Sequence, residues 1–384
     1  MMRKTLAGKQ IIIGVTGSIA AVELVRLIHE LRRKGADLRV VMTPAATGII
    51  TPDALAYASG HEVIGRISGL VEHVTFCGDG GTADLLLIAP CTANTISKIA
   101  CGIDDTPVTT FATTALGSKT PVILVPAMHH SMFRHPAIIA NIRRLKEWGV
   151  GVLEPRIEEE KAKMPVQEEI VLYCERAVLG RPLAGKRVLI TSGPCRETVD
   201  DVRILTTRSS GRMGRELALE AFRLGAEVAV VHRDTFPCVT NIPADSAAEM
   251  RNAVLRVLKE HGGTDIYISA AAISDFAPAA AVGKISSGRP ATLALEPLPK
   301  LITEVIEQFH PFVVAFKIDR SPKKGARALL AGGAGMVLMN QPETMGSPDG
   351  SYTLLDNQGV SELRGTKEET AAAVFRGITK RLQT

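Results

Sequence analysis

Twice along this chain a short apolar run empties into a turn of small residues, continues as a helix and returns as a second apolar run. Gln10–Val15 is the first run and Gly14–Ser18 the turn. Leu24, Leu27, Ile28 and Leu31 then repeat at helical spacing, Gly35 closes the helix, and Leu38–Met42 follows. Arg187–Ile190, Thr191–Pro194, Arg215–Leu224 and Glu227–Val231 repeat the same order. Strands linked through helices run parallel, and a parallel sheet needs cover on both faces. The pattern therefore predicts an α/β fold built twice.

Further buried strands are expected at Leu85–Ala89, Pro121–Val125, Ile266–Ala270, Phe312–Phe316 and Met336–Met339, and helices at Asn94–Ala100, Ile138–Trp148, Val166–Leu179 and Lys367–Leu382. With 384 residues the chain exceeds one ordinary core. Between Arg156 and Lys163 it is almost wholly charged, and Gly180, Pro182 and Gly185 break it soon after. Two domains are expected, at 1–182 and 183–384, and no repeat is short enough for a solenoid.

Composition narrows the function. A net charge of +5 over this length suits small anions better than nucleic acid, which calls for a concentrated basic stripe. Aromatic residues make up 4%, too few for stacked bases to dominate recognition. The six cysteines are scattered without a C-x-x-C pair, as free thiols in a reducing cytoplasm would be. No apolar run reaches the ~18 residues of a membrane span, and Met1–Gln10 lacks the core of a signal peptide.

In an open parallel sheet, ligands sit beyond the carboxyl ends of the strands. Three such ends here are rich in small or hydroxyl residues: Thr16-Gly17-Ser18, Thr43-Pro44-Ala45-Ala46 and Pro90-Cys91-Thr92-Ala93-Asn94. Free N–H groups at helix starts beside hydroxyls suit a phosphate, and the same residues also serve ordinary turns and caps. A dinucleotide is disfavoured, because Gly14-Val15-Thr16-Gly17 is not G-x-G-x-x-G and no acid follows Met42 to hold a ribose.

These segments, with Glu72-His73-Val74, Ala83-Asp84, Ala89–Asp104, Pro126-Ala127-Met128 and Met132, resemble in order the flavin mononucleotide (FMN)-dependent cysteine decarboxylases. The resemblance implies a flavodoxin- or Rossmann-like sheet, His73 as the active-site base, and Gly17, Ser18, Thr43, Thr92 and Asn94 around the flavin. An imidazole suits proton removal from a thiol near neutral pH. Met128 and His129 would meet the substrate, with His129 standing where the family usually has Asn. The family's bacterial members carry a reactive flap cysteine. Here Glu154–Lys163 has none and looks like the archaeal variety, so the identity of the proton donor is open. Metal binding by His129, His130 and His135 is disfavoured for want of ligands at suitable spacing.

In the second half, Arg208-Ser209-Ser210-Gly211-Arg212-Met213-Gly214 runs into a helix, pairing hydroxyls and arginines with a helix N-terminus, which favours an anion. No Walker loop occurs. Together with Gly185–Pro194, Ser269–Phe276, Lys284, Pro299-Lys300-Leu301 and Ala315-Phe316-Lys317, this segment resembles phosphopantothenate–cysteine ligase. That resemblance implies a Rossmann-like domain, with Ser210, Gly211 and Arg212 binding substrate. Ser269, Ala270, Ala271, Asp275, Pro299, Lys300, Leu301, Ile302 and Phe316 would contact CTP. Lys284, with Mg2+, would stabilise charge as the carboxylate of 4′-phosphopantothenate attacks the α-phosphate and L-cysteine then displaces CMP. Two departures stand out: Thr207 replaces an Asn, and no lysine lies between Ala326 and Gly335, although Lys323 and Lys324 sit just upstream.

The whole chain is thus similar to the archaeal variety of the bifunctional phosphopantothenoylcysteine decarboxylase/ligase family. Membership implies a cytoplasmic homo-oligomer of trimeric decarboxylase and dimeric ligase units. The rival expectation is a flavin-dependent decarboxylase, or a flavin-binding regulator, whose degenerate second half serves only in assembly.

Overall fold

The computed structural model describes residues 3–260, 263–286, 288 and 290–382. The chain divides into two compact units, Met1–Gly180 and Arg181–Thr384.

In the first unit, β1 (Gln10–Val15), β2 (Asp37–Met42), β3 (Leu85–Cys91), β4 (Val122–Pro126) and β6 (Gly151–Val152) form one sheet in the order β2-β1-β3-β4-β6, every pairing parallel. All seven residues of β3 are buried, as its unbroken apolar run requires of a central strand covered on both faces. Helix Leu24–Arg33 buries Leu24, Leu27, Ile28 and Leu31, the face its spacing marks out. A single 3-10 turn, Ile19–Glu23, precedes it. The order of connection reverses between β1 and β3, and there the loops leaving the two strands diverge to open a crevice.

The charged stretch after β6 is ordered. β7 (Arg156–Glu158) and β8 (Lys161–Lys163) form a hairpin that adds to β5 (Met128–His129), pairing Met128 with Ala162 and His129 with Lys161. Glu159 and Glu160 make its two-residue turn, both left-handed with φ of 50° and 56°.

The second unit holds eight strands in the order β13-β12-β9-β14-β17-β18-β19-β20: β9 (Arg187–Thr191), β12 (Glu227–His232), β13 (Thr240–Pro243), β14 (Ile266–Ser269), β17 (Phe312–Ile318), β18 (Met336–Asn340), β19 (Asp349–Asp356) and β20 (Gly359–Thr366). The first six are parallel and, counted along the chain, run 3-2-1-4-5-6, the Rossmann order with its reversal between β9 and β14. The antiparallel β19–β20 hairpin extends the sheet beyond β18. Two short ribbons, β10 (Arg196–Thr198) with β11 (Ile204–Thr206) and β15 (Phe276–Pro278) with β16 (Leu295–Pro297), lie outside the sheet. All six cysteines are free thiols. Among the described residues no helix is long and apolar enough to cross a membrane.

Candidate active sites

At the β1/β3 reversal of the first unit lies a cavity of about 560 Å³. The turn after β1 supplies Gly17 and Ser18, the turn after β3 Thr92 and Ala93, and the segment after β4 Met128, His129 and Met132. The hairpin closes it with Glu159, Lys161, Ala162 and Lys163. The size is within the usual range for a cofactor or drug-sized ligand.

Thr16 joins two of these turns. Its buried hydroxyl donates to the Pro90 carbonyl at 2.8 Å and accepts from the Thr92 N–H at 3.1 Å. Ser18 precedes the 3-10 turn without capping it, which leaves its hydroxyl available to a ligand. The Thr92 hydroxyl accepts from the Thr95 N–H at 3.3 Å, so Thr92 caps the next helix while lining the cavity. Thr16→Val would remove both staples at once. The expected result is a flavin dissociation constant raised roughly 10-fold or more, on about 1–3 kcal/mol for a lost buried hydrogen bond, read by fluorescence titration of released flavin.

Three expected site residues are not among those lining this cavity: Thr43, Asn94 and His73. Thr43 is buried, and its hydroxyl accepts from the Ala46 N–H as a helix cap. Asn94 is exposed on the first turn of helix Ala93–Ala100. His73 lies on the short helix Glu72–Cys77, preceded by the left-handed Val71, with its ring 6.5 Å from Phe111 in an edge-on arrangement. Its Nδ1 is buried with no hydrogen-bond partner, while Glu72 is turned away onto Ser68. Buried imidazole nitrogens are normally bonded, so this one is left with a free function.

No cysteine lines the cavity. Burial pushes the Cys77 thiol up to about 12 and raises that of Cys91, at the end of β3, as well, so neither is a reactive thiolate. Lys163 is paired with Glu158 and Glu159 at 3.3 and 3.0 Å, and the Glu160 carbonyl accepts from the His130 N–H at 2.9 Å. The last of these bonds fastens the hairpin to the segment after β4. His129 and Lys161, directly opposed in register, both face the cavity, an arrangement suited to a carboxylate or phosphate. The His135 ring caps helix Pro136–Glu147 at 3.1 Å from the Ala137 N–H.

In the second unit a cavity of about 520 Å³ opens at the β9/β14 reversal. Ser210, Gly211, Arg212, Ser269, Ala270, Ala271, Asp275, Pro299, Lys300, Leu301, Ile302 and Phe316 all line it, with Thr207, Lys317 and Asn340. Helix Arg212–Arg223 starts at its wall behind the left-handed Gly211, presenting its first N–H groups. The Ser192 hydroxyl donates to the Gly211 carbonyl at 3.1 Å, and a Cβ on Gly214 would overlap that same serine side chain. The Thr207 hydroxyl meets the Ala272 carbonyl at 3.4 Å.

Lys284 is exposed and is not a lining residue. Its loop is pinned by Asp200, which accepts from the N–H groups of Val202, Arg203 and Ile285. Burial alone would raise the Asp200 carboxyl, but these bonds and the Arg203 guanidinium outweigh it and hold it at about 2. Lys323 and Lys324 line an adjoining cavity of about 710 Å³ that shares Asn340 and Thr344 with the first. Asn340 donates to Thr344 at 2.6 Å and leaves its buried Oδ1 without a partner. The sequence marked Asn340 only as the residue after an apolar run.

Residues 2–179 match the family model described as Flavoprotein, and residues 183–382 the DNA/pantothenate metabolism flavoprotein C-terminal domain. The coenzyme A biosynthesis bifunctional protein CoaBC of Thermococcus kodakarensis is 42% identical over 99% of this chain and 97% of its own length. The protein of that name from Methanocaldococcus jannaschii is 38% identical over 82% of this chain and 78% of its own. A solved C-terminal domain of such a protein, at 30% identity, covers 53% of this chain and 98% of itself with a TM-score of 0.45. A flavoprotein half and a pantothenate-metabolism half thus follow one another along this chain, which matches the Thermococcus protein over nearly its whole length. The chain belongs to the coenzyme A biosynthesis bifunctional family, a flavoprotein phosphopantothenoylcysteine decarboxylase joined to a phosphopantothenate–cysteine ligase.

Proposed function

We propose that the cavity of the second unit joins 4′-phosphopantothenate to L-cysteine at the expense of CTP. The cavity of the first then decarboxylates the product to 4′-phosphopantetheine with FMN. The observation that supports this most directly is the position of both cavities, each at the point where its parallel sheet reverses.

In the ligase cavity the first turn of helix Arg212–Arg223 and the Arg212 guanidinium offer donors to phosphate oxygens. Ser269–Ala271, Asp275 and Pro299–Ile302 line the same cavity, and the nucleoside would rest against them. The pantothenate carboxylate attacks the α-phosphate, pyrophosphate leaves, and the amine of cysteine displaces CMP from the acyl carbon. Mg2+ would screen the triphosphate during the first step. Lys284 would stabilise this charge as the resemblance implies, while Lys317, Lys323 and Lys324 take over from the lysines absent between Ala326 and Gly335.

In the decarboxylase cavity Ser18 and the N–H groups after β1 would hold the flavin phosphate, with Thr16 fixing their spacing from Thr92. FMN supplies a two-electron acceptor that oxidises the cysteinyl thiol before CO2 leaves and returns the electrons afterwards. The chain's own part is to remove the thiol proton and hold the substrate's anionic groups. His73 would do the first, His129 and Lys161 the second. Because His73 does not line the cavity of its own chain, and Leu70, Val71 and Val74 beside it are exposed apolar side chains, we place it in the cavity of a neighbouring copy. The trimeric decarboxylase units that the resemblance implies would bring such a neighbour alongside, and the dimeric ligase units rest on the resemblance alone.

The test uses the full chain. Its visible spectrum reports bound flavin, and pyrophosphate and CO2 are followed with phosphopantothenate, cysteine and either CTP or ATP. Pyrophosphate with ATP alone would overturn the choice of nucleotide. The exposed position of Lys284 favours one rival, a ligase half kept only for assembly, and that rival predicts no pyrophosphate with any nucleotide.

A further inference from the structure

Lys367 opens the last helix, Lys367–Leu382, and lines the ligase cavity, yet it is only 7% exposed. A lysine that deeply buried normally has a carboxylate beside it. Among the described residues Lys367 has no such partner. The two glutamates that follow it are committed elsewhere, Glu368 to Arg223 at 3.7 Å and Glu369 to the Thr366 N–H at 2.8 Å. The helix packed against it carries Glu216 and Glu220, which pair with Arg215 and Arg223.

The charge that does act on Lys367 is another cation. Burial first, and then the positive charge of Arg212, pull its ammonium below the usual lysine range. Arg212 lines the same cavity and spends one donor on the Gly346 carbonyl at 2.9 Å. Two cations thus line one cavity, and among the described residues neither is in an ion pair with a carboxylate, an arrangement that costs the empty protein stability and is relieved by a bound anion.

We propose that Lys367 and Arg212 form the seat of a phosphate group carried by a ligase substrate. It is either the phosphate of 4′-phosphopantothenate or the outer phosphates of the nucleoside triphosphate. The proposal rests on reading this cavity as the ligase site. It makes Lys367 a binding residue that neither spacing nor resemblance had singled out, because a lysine opening a helix looks like a solvated one.

The full chain carrying Lys367→Met or Lys367→Arg tests it. Lys367→Met keeps the length of the side chain and removes its charge, so without added anion it should melt at or above the wild-type temperature. It should also lose most of the upward shift that inorganic phosphate or pyrophosphate gives the wild type. In turnover, KM for one phosphate-bearing substrate should rise roughly 10- to 100-fold, the range of a charge-assisted hydrogen bond, with kcat changed much less. Lys367→Arg should recover most of it. A rise confined to phosphopantothenate assigns the seat to that phosphate, and one confined to CTP assigns it to the triphosphate. Lys367→Met with wild-type KM values and a wild-type anion shift overturns the proposal. So does a lower melting temperature with both KM values intact, the mark of a structural lysine. A wild-type chain that releases no pyrophosphate fails the ligase reading instead, and the anion shift still judges the seat.

Discussion

His73→Asn is expected to slow CO2 release from phosphopantothenoylcysteine by about 10²- to 10⁴-fold, the usual worth of a positioned acid or base, while pyrophosphate release continues at the wild-type rate. The expectation rests on a ring nitrogen that is buried, unpartnered and held edge-on to Phe111. Asparagine keeps a polar group near that position but cannot take a proton at neutral pH. The flavin spectrum should be largely unchanged, since Gly17, Ser18 and Thr92, which line the cavity, stay in place. Wild-type CO2 release from His73→Asn would remove the histidine from the mechanism. A second measurement tests where it acts. Chains carrying His73→Asn mixed with chains whose cavity is blocked by Gly17→Trp should regain activity if the imidazole serves a neighbouring copy, and should stay inactive if it serves its own.

Gly214→Ala should have a comparably large effect on the other reaction. The added Cβ would overlap the Ser192 side chain. Ser192 in turn holds the Gly211 carbonyl at the start of helix Arg212–Arg223, so the first turn must shift away from the cavity. Overpacking of this kind costs about 1–3 kcal/mol in stability. The larger loss should fall on ligase turnover, because Ser210, Gly211 and Arg212 move with that turn. Ser192→Gly in the same chain removes the colliding atoms and should restore part of the activity. If Gly214→Ala ligates at the wild-type rate, the close approach of the helix to β9 is not what aims its N-terminus.

The central strands could be read in the sequence because they are buried on both faces. Leu85–Cys91 and Met336–Met339 are unbroken apolar runs, and such runs have few other uses. The β19–β20 hairpin escaped notice because most of its residues are exposed or half-exposed and carry no clean alternation. The Arg156–Lys163 stretch is almost wholly charged, and three-residue strands with a single buried residue, Ala162, leave no period by which a hairpin could be detected. In the sites, glycine and hydroxyl motifs at strand ends were legible because local backbone geometry demands them. Lys367 and Asn340 were not. They reach the second unit's cavity from elements distant in sequence, and only tertiary packing shows that Lys367 is buried there and that the Asn340 Oδ1 lacks a partner.

The glutamates at the tip of the first unit's hairpin carry one more consequence. A two-residue hairpin loop of this kind favours Asn-Gly, whereas Glu159 and Glu160 both sit at positive φ, a conformation costing most residues about 1–2 kcal/mol each. The segment covering the decarboxylase cavity is therefore folded against a local preference to come apart. Glu159→Asn with Glu160→Gly should make hydrogen exchange at the His130 amide, which is bonded to the Glu160 carbonyl, measurably slower. Product should then leave less often per second, so affinity gained at this doorway would be turnover forgone.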